Sequence, residues 1–454
     1  MKNGKRSSFS GKLGYVLAAA GASVGLGNIW RFPYLAAKYG GGIFLIIYIV
    51  LALTFGYTMI VAETAIGRMT RKSPVGAFKS FGKKKWLSFG GWINAVIPVL
   101  IVPYYSVIGG WVIKYLVEYF RGNAKLLAED GYFTDFISNG VSTELCFVAF
   151  CAFTLIIIFA GVQNGIERVS KIMMPILIVL SVIIAVYSVT RPGALAGVKY
   201  FLVPNVKNFS WMTVVSAMGQ MFYSLSIAMG ILITFGSYMK KDTAIEDSTR
   251  NVEIFDTGIA IMAGLMIIPA VFAFSGGDPD TLQAGPSLMF ITIPKVFQNM
   301  GFGTVIGIVF FLLVLFAAVT SSIALTESAV STFEDELGWG RKKATVLVGV
   351  IMLALGSLSL GYGPLAGIKI IGMQFLDLFD FLTNSVMMPI AALLTSLFVS
   401  RVVGIDKIEA EIIHGESAFR RKKVFVVMIK YLCPVFAIII LLSSVANALG
   451  WIKM

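Results

Sequence analysis

Hydrophobic positions fall in long runs along this chain, and the runs set its architecture. Eleven are long enough to cross a bilayer as helices: 13–36, 41–67, 87–119, 142–160, 167–189, 210–238, 253–275, 302–330, 345–361, 368–400 and 427–449. The connections are short, and none of 120–141, 276–301 or 401–426 has the length of an independent soluble domain. Any chemistry therefore sits inside the helix bundle. The 276–301 stretch mixes Gly, Pro and Asp with apolar residues and reads as a folded loop dipping toward that bundle. The predicted fold is all-α: a polytopic membrane protein of eleven transmembrane helices.

Polar positions inside the apolar runs carry the functional signal. Residues 21–33 read G-A-S-V-G-L-G-N-I-W-R-F-P, so Gly21, Gly25 and Gly27 weaken the first helix while Ser23, Asn28 and Arg31 bring polar groups to membrane depth. Unpaired backbone in hydrocarbon costs several kcal/mol per group, so an interrupted helix persists only around a cavity, an ion or a ligand. Tight helix packing would explain the glycines but not Asn28 and Arg31. In the sixth run, Ser226-Ile227-Ala228-Met229-Gly230 repeats the order Ser, β-branched, small, large apolar, Gly of Ser23-Val24-Gly25-Leu26-Gly27. The two segments lie five spans apart. An odd number of spans inverts the topology, and paired broken helices in inverted repeats point to a midplane site. The expected organisation is a segment 1–12, a first repeat 13–189, an inverted second repeat 210–400, and a loop with the last helix in 401–454, together forming one transporter unit.

Other polar groups sharpen the chemistry. Gln220, Tyr223, Ser224 and Ser226 lie in the sixth run, and Thr320-Ser321-Ser322 in the eighth. A lone helical hydroxyl commonly bonds back to its own i−4 carbonyl. Three in succession, with few charges near, suit a small hard cation such as sodium. Glu63, Asp256 and Asp380 are costly at that depth unless each meets a cation, Arg31 or the exposed amides of a broken helix. Tyr104 and Tyr105, beside Pro103, also want polar partners, which a bound carboxylate would supply.

Composition excludes a soluble protein: 57% of the 454 residues are hydrophobic, 13% are charged, and mean hydropathy is +0.85. The net charge of +13 arises from residues flanking the apolar runs. With the N-terminus inside, 26 Lys and Arg lie on the cytoplasmic side against 9 outside, and Arg31 and Lys114 lie within spans. That bias places the N-terminus in the cytoplasm and the C-terminus outside, and it directs the charge to membrane lipid rather than nucleic acid. Cys146, Cys151 and Cys433 have no ligand-like spacing, and His414 is the single histidine, so neither a histidine metal site nor a Ser-His-Asp triad is available. The start resembles a signal peptide, but its apolar run continues past the small-residue box, which argues against cleavage.

The segments G-A-S-V-G-L-G-N-I-W-R-F-P-Y, G-G-G-x-F near 40–44, G-Q-M-F-Y-S-L-S and T-S-S resemble the neurotransmitter:sodium symporter family, in its bacterial amino-acid branch, over the chain from Phe9 to the eleventh helix. The resemblance implies the leucine-transporter fold, a five-plus-five inverted repeat with alternating access driven by Na+. It implies one sodium site from the carbonyls of Gly21, Val24 and Ala317 and the hydroxyls of Thr320 and Ser321. It implies another from Ser23, Asn28, Ser224, Asp256 and the substrate carboxylate. The substrate pocket would comprise Ala22, Ser23, Gly25, Leu26, Gly27, Ile101, Tyr105, Tyr223, Ser224, Ser226, Met229, Ser321 and Leu325. Arg31 and Asp380 resemble the outer gate, and Arg6 and Asp335 the inner latch, with Phe9 where an indole is common and Tyr238 nearby. Gly165 and Pro175 match a pattern associated with unwinding of the fifth helix on inward opening.

Departures from the family pattern carry their own expectations. Many members have a twelfth helix; here it is absent, along with any dimer contact it would make. Asp256 stands where an amide is usual, Ala260 where some bacterial members have a glutamate, and Met229 where a Phe lines a small leucine pocket. Tyr48, Gln220 and Ser224 match the lining of the chloride site of animal members. Asp256 already supplies a negative charge there, so transport is expected to be chloride-independent, with the empty carrier able to return a proton on that carboxylate. The expected substrate is a neutral, hydrophobic, aromatic amino acid, tyrosine first and tryptophan second, the alternative being an aliphatic one such as leucine. A channel would show ringed charges and a continuous pore. An enzyme would need a nucleophile-base or metal constellation that Ser321 lacks.

Overall fold

The computed structural model describes residues 6–82, 84–276, 285–360, 365, 367–448 and 450–451. Among these, nine spans are single helices: Gly42–Thr70, Lys85–Phe120, Gly140–Phe159, Val162–Val189, Ile245–Ser275, Gly303–Leu337, Arg341–Ser359, Phe375–Val403 and Lys422–Ala448. The first span is a pair, Lys12–Ser23 and Gly27–Lys38, bent by 53°. The sixth is Trp211–Ser224 followed by Ile231–Tyr238, with 225–230 non-helical between them. Together they make the eleven spans that the apolar runs predict.

The ends differ where polar residues extend a helix that periodicity alone cuts short. The seventh span begins at Ile245 rather than 253; its added turns carry Glu246 and lead into Glu253, where the predicted run starts. Both carboxylates are satisfied there: Tyr57 donates to Glu246 at 2.9 Å, and Arg421 pairs with Glu253 at 3.0 Å. The tenth span begins at Phe375 rather than 368, and the eighth runs on to Leu337. Of the predicted dipping loop, 277–284 lies outside the described residues; the remainder holds the helix Leu288–Gln298, with Leu288, Phe290, Ile293 and Phe297 buried.

Packing places the two breaks side by side. The third and eighth spans run against each other along the bundle. The second span meets the C-terminal half of the sixth through glycines on both: a Cβ on Gly67 would lie 2.0 Å from the Ile233 carbonyl oxygen, and one on Gly236 2.5 Å from that of Thr64. Small residues let backbones approach this closely where lipid gives no hydrophobic drive between helices. Glu63, four residues before Gly67, is thereby carried to the break in the sixth span. The break in turn begins beyond a helix started by a reciprocal cap, in which Ser210 accepts from the Thr213 amide and the Thr213 hydroxyl from the Ser210 amide.

Candidate functional site

The first helix stops at Ser23. Val24 is extended (φ −76°, ψ 95°), and helix resumes at Gly27 in a widened π turn. In the sixth span Ser226 (φ 53°), Ala228 (φ 59°) and Gly230 (φ 69°) take the left-handed conformation. For Ser and Ala that conformation costs roughly 1–2 kcal/mol each, so the surroundings must hold it. Glu63 accepts from the Ala228 amide at 2.8 Å, and Ser226 donates to the Ala22 carbonyl at 2.9 Å, tying one break to the other. Gln220 donates to the Gly27 carbonyl at 3.0 Å, and Asn28 Oδ1 accepts from the Gly25 amide at 3.1 Å. Glu63 thus has the exposed amide expected of it, while its second oxygen is buried without a partner.

Between the breaks lies a small cavity of about 30 Å³, lined by every residue assigned to the substrate pocket and by Asn28 as well. Its polar end is built from backbone and Tyr105, whose hydroxyl accepts from the Leu26 amide at 3.3 Å. Two glycines leave the space open. A Cβ on Gly25 would stand 2.7 Å from Ser321 Oγ and 3.1 Å from the Tyr105 oxygen; one on Gly27 would stand 2.5 Å from the Tyr223 ring. Leu26, Ile101, Met229 and Leu325 supply apolar wall, and no ionised side chain lines it.

Two clusters of oxygens flank the cavity. In the first, buried Asp256 accepts from Asn28 Nδ2, Ser224 Oγ and the Tyr48 hydroxyl, all at 2.8 Å. All three partners are neutral. Ser23, expected in this set, instead donates back to the Ala19 carbonyl at 3.1 Å. The short back-bond within its own helix takes the proton, as is common for a helical serine, and leaves the Ser23 oxygen free to face a cation, so Ser23 lines the cavity without bonding to Asp256. In the second cluster, Ser321 Oγ lies 3.2 Å from the Gly21 and Ala22 carbonyls and 3.3 Å from that of Val24. Thr320 Oγ1 lies 3.2 Å from the Ala317 carbonyl and 3.0 Å from that of Phe316. The Ala22 carbonyl was not expected here; it follows from the helix ending one residue later. A small cation without charged ligands suits such a set of uncharged oxygens.

Comparison with known proteins agrees with this geometry. The profile of the Sodium:neurotransmitter symporter family matches residues 6–127 and 133–451. The chain belongs to that family. An uncharacterized sodium-dependent transporter of Bacillus subtilis, YhdH, is 34% identical to this symporter over 98% of the chain and 99% of its own length. A second, from Haemophilus influenzae, is 31% identical over 97% and 99%. Among solved structures, MhsT in complex with L-phenylalanine superposes with a TM-score of 0.86 at 35% identity, covering 97% of this chain and all of its own. The polytopic all-α fold with broken first and sixth helices is thus the leucine-transporter fold of the family, and Na+ is its coupled ion.

In this symporter the two pairs expected as gates stand differently. On the side of the N-terminus, Arg6 pairs with Asp335 at 2.6 Å and also donates to Ser237 and Ser331, at 3.0 and 2.7 Å. Asp335 accepts in addition from the Ser73 amide at 2.7 Å, and Phe9 packs edge-on against Tyr15, Phe235 and Tyr238. The latch is closed. The opposite pair is not joined: among the described residues Arg31 and Asp380 make no ion pair. Asp380 is held by Tyr104 at 3.2 Å and Asn384 at 2.5 Å, while the Arg31 guanidinium lies over the Tyr223 ring, 5.3 Å from its centre. Neutral donors hold Asp380, and Arg31 stays within range of its charge without joining it. Tyr104 therefore takes Asp380 rather than a substrate carboxylate. The fifth span stays helical through Gly165 and Pro175. Sequence reading missed Ser237, Ser331, Asn384 and the pair of Glu327 with Arg341 at 2.6 Å. Only the charges of Glu327 and Arg341 beside apolar runs could have signalled the last.

Proposed function

We propose that the chain is a sodium-coupled symporter importing a neutral hydrophobic amino acid, aromatic by preference, by alternating access across the bacterial inner membrane. Its N-terminus is cytoplasmic and its C-terminus outside, and residues 13–189 and 210–400 act as inverted halves around the site. The observation that carries the reading is the cavity at two facing helix breaks, lined by uncharged residues of the first, third, sixth and eighth spans. Free amides at a half-helix end favour an anion, and Tyr105 adds a hydroxyl, so the substrate carboxylate sits at this end. Its remaining charge balance comes from sodium. One ion takes Ser23, Asn28, Ser224, Asp256 and the substrate carboxylate. The other takes the carbonyls of Gly21, Val24 and Ala317 with Thr320 and Ser321. A substrate that completes a sodium site couples its own binding to the ion.

The aromatic preference rests on the side-chain end. Met229 is unbranched and adapts its shape, and no fixed charge would be desolvated there. Ser226 donates its proton to Ala22, which leaves its oxygen free to accept from a phenol or an indole N–H; Ser23 is in the same position. L-Phenylalanine in MhsT is support from a relative rather than from this chain. Transport proceeds without chloride because Asp256 brings its own charge, and the sodium-free carrier returns with a proton there. Inward opening breaks the Arg6–Asp335 latch and unwinds the fifth helix between Gly165 and Pro175. The leucine alternative is favoured by the wall of Leu26, Ile101 and Leu325. Proteoliposome uptake of labelled L-tyrosine under an inward sodium gradient, with competing amino acids, tests both. Saturable, sodium-dependent uptake competed best by tyrosine, tryptophan and phenylalanine supports the proposal. Competition led by leucine or alanine overturns the preference, and sodium-independent, non-saturating flux overturns symport.

A further inference from the structure

The last span carries a cation that neither the bundle nor the transport cycle uses. Along Lys422–Ala448 the exposed positions form one stripe: Val427 (50%), Tyr431 (65%), Val435 (49%) and Leu442 (64%). Spacings of four and seven residues put these on one helix face, and apolar residues so exposed on a spanning helix face lipid. Lys430 lies in that stripe and is itself exposed. It sits in the π turn Met428–Leu432, roughly 12 Å along the axis from the start of the helix. A charge on a lipid-facing surface at that depth is costly unless its side chain snorkels to the interface and finds an anion.

A second cation waits there. The π turn Val399–Val403 at the end of the tenth span packs against the turn that holds Lys430, and it carries exposed Arg401. Both turns lie toward the ends of their helices that join the 404–421 loop, so a lysine reaching back along its own helix approaches the level of Arg401. Neither cation has an ion pair or a hydrogen bond to any described residue. Exposed Tyr431 beside Lys430 has the amphipathic ring typical of the headgroup level.

We propose that Lys430 and Arg401 form a binding site for the phosphate of an anionic phospholipid, set between the tenth and eleventh spans. The occupant is lipid and not free phosphate, because the site opens on the hydrocarbon-facing surface, where the acyl chains would lie over Val427 and Val435. With the N-terminus in the cytoplasm, the site lies in the cytoplasmic leaflet; the leaflet alone rests on that orientation. The 404–421 loop adjoins it, so the bound lipid fastens the tenth helix to the eleventh.

The test is native mass spectrometry of the purified full chain delipidated and then titrated with phosphatidylglycerol, phosphatidylcholine or inorganic phosphate. Wild type is expected to retain phosphatidylglycerol selectively and to retain no phosphate. Lys430→Gln and Arg401→Gln should each weaken retention roughly fivefold, and together roughly thirtyfold, from the attraction of one surface cation to anionic lipid. Lys343→Gln, an exposed cation at the start of the ninth span, serves as the control and should leave the selectivity unchanged. Equal retention of the two lipids by wild type overturns the proposal without recourse to any variant. So does a double variant that retains phosphatidylglycerol like wild type, or binding of inorganic phosphate at comparable strength.

Discussion

Asp256→Asn separates the charge of the first oxygen cluster from its shape. The carboxylate accepts from three neutral donors at 2.8 Å, and the side chain is fully buried. An asparagine keeps one oxygen for Asn28 and Ser224, and the Tyr48 hydroxyl can turn its proton to Ser224, 3.1 Å away, and accept from the new amide. The fold cost is therefore about 1 kcal/mol, the worth of one rearranged hydrogen bond. The loss to sodium is larger. A unit charge about 4 Å from a monovalent cation contributes about 4 kcal/mol at an effective dielectric of 20, an upper limit of about three orders of magnitude in affinity. In proteoliposomes the variant should need far more sodium for half-maximal uptake, or lose uptake, and regain part of it when chloride replaces gluconate. Stimulation by an internal acid load should vanish with the carboxylate. The reasoning fails if the wild type stops transporting in gluconate, or if the variant keeps the wild-type sodium dependence while remaining folded.

Four further outcomes follow from named contacts. Thr320→Ala with Ser321→Ala removes the two hydroxyls that face the Gly21, Val24 and Ala317 carbonyls, so the sodium concentration for half-maximal uptake should rise several-fold; an unchanged curve returns them to helix packing. Gly25→Ala drives a methyl to 2.7 Å from Ser321 Oγ and 3.1 Å from the Tyr105 oxygen, so KM for the amino acid should rise at least tenfold with little change in thermal midpoint, a cost of about 1.4 kcal/mol in binding. Ala228→Gly removes the left-handed penalty at φ 59° against the extra chain entropy of glycine, giving a net gain of up to about 1 kcal/mol; a lower thermal midpoint in detergent would contradict it. Arg6→Ala cuts three contacts of the latch, so a cysteine introduced on the first helix should label faster from the cytoplasmic side, and unchanged labelling would argue that Phe9 and Tyr238 alone hold the closure.

Much of this protein is written locally. Eleven spans follow from run length, because burying backbone in lipid leaves helices as the available answer. The first break follows from glycines beside Asn28 and Arg31, because no continuous helix would carry those groups to such depth without a use. The pocket lining was assigned through the resemblance to the symporter family, which reaches Ile101, Tyr105, Ser321 and Leu325 on the unbroken third and eighth spans. What the tertiary structure decided concerns competition between partners that lie far apart in the chain. Ser23 gives its proton to the Ala19 carbonyl of its own helix. Arg31 and Asp380 looked like a pair by charge, yet Tyr104 and Asn384 reach Asp380 first. Glu246 lay outside the predicted seventh run, and the helix takes it in where Tyr57 of the second span meets it, while Arg421 of the 404–421 loop pairs with Glu253. Run length and backbone cost act within one segment and leave their mark in its composition, whereas the choice of a polar partner is settled by distances of a few ångströms between segments that only the packed bundle brings together.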